Sequence, residues 1–274
     1  MTSAALDTPE RFAFGENWSR FLRVLDEERI REAERSLQDM LGVTRLDGKR
    51  FLDIGSGSGL FSLAARRLGA SVHSFDFDPQ SIACTAELRR RFFPDDSAWT
   101  VQRGSVLDES FVASLGTHDV VYSWGVLHHT GAMRRALEHA ARAVAPGGQL
   151  FIAIYNYQHY YSRVYTTVKR AYVRAPAPGK WLIAAAYIAL QAGKGLFRDV
   201  FTLRNPLTRY SDKKRMRGMS MYHDWIDWIG GYPFEPAKPE EIFDFYRTRG
   251  FVLDRLITCG SGQGCNEFVF RRSA

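Results

Sequence analysis

The segment Phe51-Leu52-Asp53-Ile54-Gly55-Ser56-Gly57-Ser58-Gly59-Leu60-Phe61 constrains this chain more than any other. An apolar run carrying one acid reads as a buried parallel strand. Alternating glycines follow, and from Leu60 to Leu68 apolar residues recur at helical spacing. Strand, glycine turn and helix form the first unit of a doubly wound α/β sheet, in which glycine lets a ligand approach the backbone at the strand's carboxyl end. A dinucleotide-binding turn has the spacing G-x-G-x-x-G. Here the third glycine comes one residue early, and Leu60 takes the next position. A G-S-G-S-G run on its own also suits a flexible linker, although a linker needs no strand and helix around it. The turn alone leaves nucleotide-dependent oxidoreductases open.

The next hundred residues continue the pattern. Ser71 to Asp76 is a second strand, and it ends in an acid about twenty residues after the first glycine, the place for a partner to ribose hydroxyls. Asp78-Pro79 starts a helix. Trp99 to Arg103 reads as a third strand, followed by Gly104-Ser105-Val106-Leu107-Asp108. Asp119 to Ser123 is the fourth, running into Trp124-Gly125-Val126-Leu127-His128-His129-Thr130. A helix from about Gly131 to Val144 stops at Ala145-Pro146-Gly147-Gly148, and Gln149 to Tyr155 is the fifth strand.

A strand acid before G-x-G-x-G, with these segments in this order, resembles the class I S-adenosylmethionine-dependent methyltransferases. The resemblance runs from about residue 49 to 156. It implies a Rossmann-like sheet of seven strands, the last antiparallel, with S-adenosylmethionine as methyl donor and S-adenosylhomocysteine as product. It places cofactor contacts at Asp53, Gly55, Ser56, Gly57, Gly59, Asp76, Phe77, Ser105, Val106, Trp124 and Gly125. The donor lacks a pyrophosphate but carries an ammonium and a sulfonium, so Asp53 complements the ammonium directly or through water. Ser105 and the Val106 amide inherit the adenine. Family members often have Asp where this chain has Ser105, which keeps a hydrogen bond but loses a charge. Trp124 flanks the methionine moiety.

Outside this core, Phe12 to Leu41 looks like one helix, with apolar residues near one side. Many small-molecule methyltransferases close the cofactor cleft with such a helix, which makes Trp18, with Asn17, a further candidate over the cofactor. Near the other end, Lys238-Pro239-Glu240-Glu241 opens a helix. Phe251 to Thr258 and Asn266 to Arg271 then form a closing hairpin. The domain reading is residues 1–48 as an N-terminal helical lid, 49–156 and 237–274 as the cofactor-binding domain, and 157–236 as a basic, aromatic, mainly helical cap that bears on the substrate.

That insertion carries the charge. Between Tyr157 and Ser220 stand thirteen lysines and arginines and two aspartates, a net +11 against +7 for the whole chain, so the remainder sums to −4. Such a field concentrates anionic partners: a phosphorylated or carboxylated small molecule, RNA, or an anionic lipid surface. The apolar run Trp181 to Leu190, bracketed by Lys180 and Lys194, is too short to span a bilayer. It suits a buried cap helix, or an interfacial helix touching membrane through residues 180–198. The interfacial version implies a lipid-linked acceptor, as in the ubiquinone-pathway O-methyltransferases that the core resembles.

The insertion closes on an aromatic stretch in which His223 and Asp227 fall at i and i+4, so the carboxylate would orient the imidazole. For in-line displacement at a methyl carbon, His129 and His223 are the general-base candidates, with His128 third and Asp227 as orienting partner. The expected acceptor is a small or lipid-linked, anionic molecule methylated at oxygen or nitrogen. The alternative is an RNA or protein methyltransferase that docks its substrate on the basic insertion. Three unevenly spaced cysteines give neither a zinc pattern nor a disulfide framework, and Met1 to Arg11 lacks a secretory apolar core. A cytoplasmic enzyme with no metal is the expectation, at most peripheral to a membrane.

Overall fold

The computed structural model describes residue 18 and residues 21–202, 228–260 and 262–274, the side chains of 194–201 excepted. Its seven strands are β1 (Arg50–Ile54), β2 (Ser71–Asp76), β3 (Trp99–Arg103), β4 (His118–Trp124), β5 (Val144–Tyr155), β6 (Phe251–Ile257) and β7 (Cys265–Arg272). They lie in the order β3-β2-β1-β4-β5-β7-β6. The first five run parallel, and β7 inserts antiparallel between β5 and β6. The chain reverses direction across the sheet between β1 and β4, and ligands of open α/β sheets bind at the carboxyl side of that switch point.

Alternation along the strands builds two cores. On one face Leu52, Ile54, Val121, Ile152, Phe268 and Phe270 pack with helices α5 (Met133–Arg142) and α8 (Pro239–Arg247). On the other, Phe51, Tyr122, Phe151 and Val269 pack with helices α1 (Glu27–Leu41) and α2 (Leu60–Arg67). Helices α3 (Pro79–Phe92) and α4 (Glu109–Ser114) come after β2 and β3. Pro79 stands in the first turn of α3, behind its capping residue Asp78.

Two boundaries differ from the sequence reading. The helix expected over Phe12 to Leu41 is interrupted at Leu25-Asp26, and α1 starts afresh at Glu27. The Asp26 side chain accepts the Arg29 amide at 3.0 Å, so it serves a new helix end rather than continuing an old one. The fifth strand begins at Val144, five residues early. Val144 pairs with His118, and the register then shifts so that Val120 faces Gln149; Ala145 to Gly148 are the extra residues of that irregularity.

The chain divides into two compact units, one of Phe14–His159 with Glu235–Ala274, the other centred on Tyr160–Phe234. In the first, Ala237 pairs in parallel with Asn156 at the end of β5, which ties the chain's return to the strand it left. In the second, helices α6 (His159–Arg174) and α7 (Ala177–Phe201) bury Tyr172, Ala184 and Ile229. Trp228 stacks on Tyr187 with ring centroids 5.0 Å apart. Lys169 is fully buried there, with its Nζ donating to the Trp228 carbonyl and 4.0 Å from the Trp228 ring. Burial pulls its pKa down to about 7.

Within α1, Ile30, Ala33, Leu37, Met40 and Leu41 point inward at spacings of three and four, and Leu37 is 0% exposed. Leu37→Ala is expected to lower the unfolding free energy by about 2–5 kcal/mol in chemical denaturation. A loss below about 1 kcal/mol would mean that α1 is not part of this core.

Candidate active site

The glycine turn is tethered at both ends to β2. The amides of Gly55 and Ser56 donate to the Phe75 carbonyl at 2.8 and 3.1 Å. The Gly57 amide donates to Asp76 Oδ2 at 3.0 Å, while Asp76 Oδ1 accepts the Asp78 amide at 2.9 Å. One carboxylate therefore fixes the turn and the entry to α3 together. Gly55, Gly57 and Gly59 all have positive φ. A Cβ on Gly55 would stand 2.5 Å from Val126 Cγ1, and one on Gly57 3.0 Å from the Trp18 indole. These positions need glycine both for backbone conformation and for close approach.

Asp53 is 2% exposed on the face of β1 that carries Phe51. Its carboxylate accepts Ser62 Oγ at 2.5 Å; Ser62 Oγ lies 2.6 Å from Ser74 Oγ, which accepts the Trp99 indole at 2.9 Å. Since the Ser62 proton is spent on Asp53 and Trp99 can only donate, Ser74 donates to Ser62. The wiring runs one way toward the acid. Burial raises Asp53 to about 7; the Ser62 bond opposes this and the Asp76 charge adds to it.

The other sequence candidates have local partners. Ser56 turns inward, its Oγ 2.9 Å from Thr85 Oγ1. The Phe77 carbonyl accepts Arg103 Nε at 3.1 Å, and the Arg103 guanidinium lies 5.5 Å from the Phe77 ring centre. Ser105 Oγ accepts the Leu107 amide at 3.2 Å, closing a turn, and His139 Nδ1 donates to the Val106 carbonyl at 2.7 Å. At the end of β4 Trp124 is 41% exposed. Gly125 has φ 76, with open space where a Cβ would stand. His129 is half-buried and edge-on to Tyr155 at 5.6 Å, whereas His128 is fully buried and its Nδ1 accepts the Tyr155 amide at 3.4 Å. His223, Asp227 and Asn17 lie outside the described residues.

Three residues escaped the sequence reading. Glu235 caps α5 from a hundred residues away, its Oε2 accepting the Met133 amide at 3.1 Å. Glu267 on β7 stands in one sheet row with Trp124, the two flanking Ala153. Tyr122, beside Asp53 in the sheet, keeps a hydroxyl with no hydrogen-bond partner among the described residues. The available signal for Glu267 was a lone acid running straight into Phe268-Val269-Phe270. Among the described residues no three histidines, cysteines or acids gather to hold a metal ion, and no disulfide joins the three cysteines.

Residues 25–209 match the family model for a methyltransferase domain. This chain belongs to the class I S-adenosylmethionine-dependent methyltransferases. It is 30% identical over 128 residues to a ubiquinone biosynthesis O-methyltransferase from Rhizobium johnstonii, which is 47% of this chain and 50% of that one. A namesake from Xanthomonas oryzae is 31% identical over 114 residues, 41% and 46% of the two chains. The chain thus spans about half the length of the curated relatives it matches.

The fold is shared with magnesium protoporphyrin IX methyltransferase from Synechocystis PCC 6803, solved with bound S-adenosylhomocysteine (TM-score 0.54, 14% identity, 94% and 95% of the chains). It is shared too with the N-methyltransferase NodS from Bradyrhizobium japonicum WM9, in complex with the same product (TM-score 0.52, 14% identity, 96% and 100%). The methyl donor of this methyltransferase family is S-adenosylmethionine.

The raised Asp53 has a stability consequence. Its folded pKa of about 7 exceeds its ordinary 3.8. Below pH ~4 the acid is protonated folded or unfolded and the wild type loses nothing; as pH rises through ~7 the folded state must hold a buried charge and that stability is lost. Asp53→Asn should therefore gain on the wild type between pH 4 and 8, by on the order of 4 kcal/mol at most. Denaturation midpoints for both proteins across that range check this, and a pH-independent difference would sink it.

Proposed function

We propose that this protein is an O-methyltransferase acting on a hydroxyl of a small, hydrophobic acceptor. The observation that carries the reading is the pair Asp53 and Asp76 around an evenly spaced glycine turn at the switch point of the sheet. The residues fit a cationic donor. Two carboxylates offer compensation for an ammonium and a ribose, positive-φ glycines leave the backbone bare, and the space over Gly125 is open. Asp53, Gly55, Gly57 and Gly59 are assigned to the methionine end, Asp76 and Phe77 to the ribose, Ser105 and Val106 to the adenine, Trp124 and Gly125 to the sulfonium side, and Trp18 to the cover over Gly57. Ser56 contributes through its backbone, since its hydroxyl is spent on Thr85.

When bound, the donor supplies an activated methyl on a good leaving group. The residues' main task is then to align nucleophile, methyl and sulfur, which supplies on the order of 7–11 kcal/mol. His129, at the edge beside Tyr155, is a base candidate within the described residues; His223 with Asp227 remains a second. The curated relatives named for oxygen methylation favour a hydroxyl nucleophile.

Calorimetry with S-adenosylhomocysteine tests the site. The wild type is expected to bind, and Gly57→Val, whose branches have no room beside Trp18 at φ 55, is expected to lose binding while keeping its circular dichroism. Equal affinity in the two proteins would remove the cofactor assignment.

We infer further that the acceptor is presented from a lipid surface. Trp181, Leu182 and Leu190 are 70%, 61% and 54% exposed on α7 and, with Ala186 and Ala189, make an outer face without a polar residue. This replaces the buried-cap expectation for that side of the helix. No helix among the described residues is long and apolar enough to cross a membrane, so contact would be interfacial. The protein is expected to co-sediment with phosphatidylglycerol vesicles, and Trp181→Ala combined with Leu182→Asp to reduce that at least tenfold. Vesicle binding that persists in the double variant would overturn this surface.

A further inference from the structure

We propose that Glu267, in place of His129 or His223, takes the proton from the acceptor's hydroxyl, with Trp124 beside its carboxylate and walling the acceptor. This rests on the O-methyltransferase reading. The sheet register sets Trp124 beside Ala153 and Ala153 beside Glu267, so the three side chains stand in one row on one face. Adjacent strands are about 4.8 Å apart, which makes the row roughly 10 Å wide. Alanine at its centre leaves the indole room to lie across toward Glu267, and the indole acts on that carboxyl as a donor favouring its charged form. A larger residue at 153 would keep the two apart.

An acid here is unfavourable for folding alone. Glu267 is half-buried, ahead of Phe268, Val269 and Phe270 at 0% exposure. Burial holds its pKa above the usual carboxylate range while the Trp124 bond opposes. That direction suits a base working near neutral pH.

A second observation points to the same spot. The Tyr122 hydroxyl, two residues before Trp124 on the same face, is buried and has no hydrogen-bond partner among the described residues, and the charges of Asp53 and Glu267 both act on it. An orphaned hydroxyl costs about 1–3 kcal/mol unless a ligand or water satisfies it. The strand that carries both Tyr122 and Trp124 is β4, next to the glycine turn of β1.

The exposed indole offers a flat apolar wall, so the acceptor class is a hydroxyl on a planar ring, a phenol or an enol. As the acceptor oxygen bonds to the methyl carbon, its proton passes to Glu267. The electron pair of the breaking carbon–sulfur bond stays on sulfur, and the proton then leaves Glu267 for water. Titratable neighbours on this face are Tyr122, Tyr155, Cys265 and, further off, Asp53. The cations Arg255 and Arg271 are engaged elsewhere, Arg255 with the Asp39 carbonyl and Arg271 with Asp254 at 2.6 Å.

The first measurement needs no turnover. Tryptophan fluorescence of the wild type, titrated from pH 4 to 9, should show a transition above pH ~4.5 that both Glu267→Gln and Trp124→Phe remove. In the second, methyl transfer from radiolabelled donor into an organic extract of cell lysate should fall about 10²–10⁴-fold in Glu267→Gln, with loss of the rising limb of the pH–rate profile. S-adenosylhomocysteine affinity by calorimetry should stay within twofold of wild type in that variant.

If Glu267→Gln transfers methyl at the wild-type rate, or slows while keeping both the pH limb and the fluorescence transition, Glu267 is not the base. The parent reading survives that result. If the wild type neither binds S-adenosylhomocysteine nor labels the extract, the parent reading fails and this proposal fails with it.

Discussion

A carboxylic acid buried at the carboxyl end of β1 is the constraint around which this structure is arranged. Asp53 has Ser62 from α2 as its hydrogen-bond donor, and Ser62 is held by Ser74 of β2, which is held by Trp99 of β3. Three elements of the doubly wound half thus converge on one acid, and all four side chains are essentially inaccessible. Such a network rigidifies when every member is satisfied, and each bond in it is stronger than it would be in water. The charge itself is left under-compensated: a single hydroxyl bond does not offset burial, and the neighbouring Asp76 makes matters worse. In the proposed donor site, a cation over the turn would relieve both acids at once.

The first half of the fold was legible because its signals are local. Strand acid, glycine turn and helix lie within twenty residues, and β1 to β4 and the Asp78 cap fall where periodicity and capping rules put them. The breaks came where a side chain changed partners. Asp26 interrupts an apolar helical stripe by capping α1, and periodicity does not register a cap in mid-pattern. The glycine-proline cluster before Gln149 reads as a stop, yet the backbone there keeps pairing through a register shift.

The site divides along the same line. Gly55, Gly57, Gly59 and Asp76 were legible from spacing. Glu235 and Glu267 were not, because each acquires its meaning from an element far along the chain: Met133 at the start of α5, and Trp124 on β4 across Ala153. In the other unit Lys169 is a like case, with Trp228 as its partner. A buried lysine among aromatics is indistinguishable in sequence from one of thirteen basic residues on a solvated helix. Ser56 and Ser105 show the converse. Both stand at motif positions, but their hydroxyls are consumed in holding the local backbone.

The two units also differ in the ligand chemistry each suits. Residues 157–220 carry a net +11, while the rest of the chain sums to −4. A cationic methyl donor is therefore drawn to the sheet and repelled by the insertion, and an anionic surface is drawn the other way. Under the proposed lipid reading, the apolar face of α7 would add a second, unscreened attraction, because burial of Trp181 and Leu182 does not weaken with salt as the lysine and arginine contribution does. Raising ionic strength should then separate the two contributions. Vesicle binding would fall only to the level the apolar face sustains, while a donor held by Asp53, as proposed, would be shielded from mobile ions and lose little.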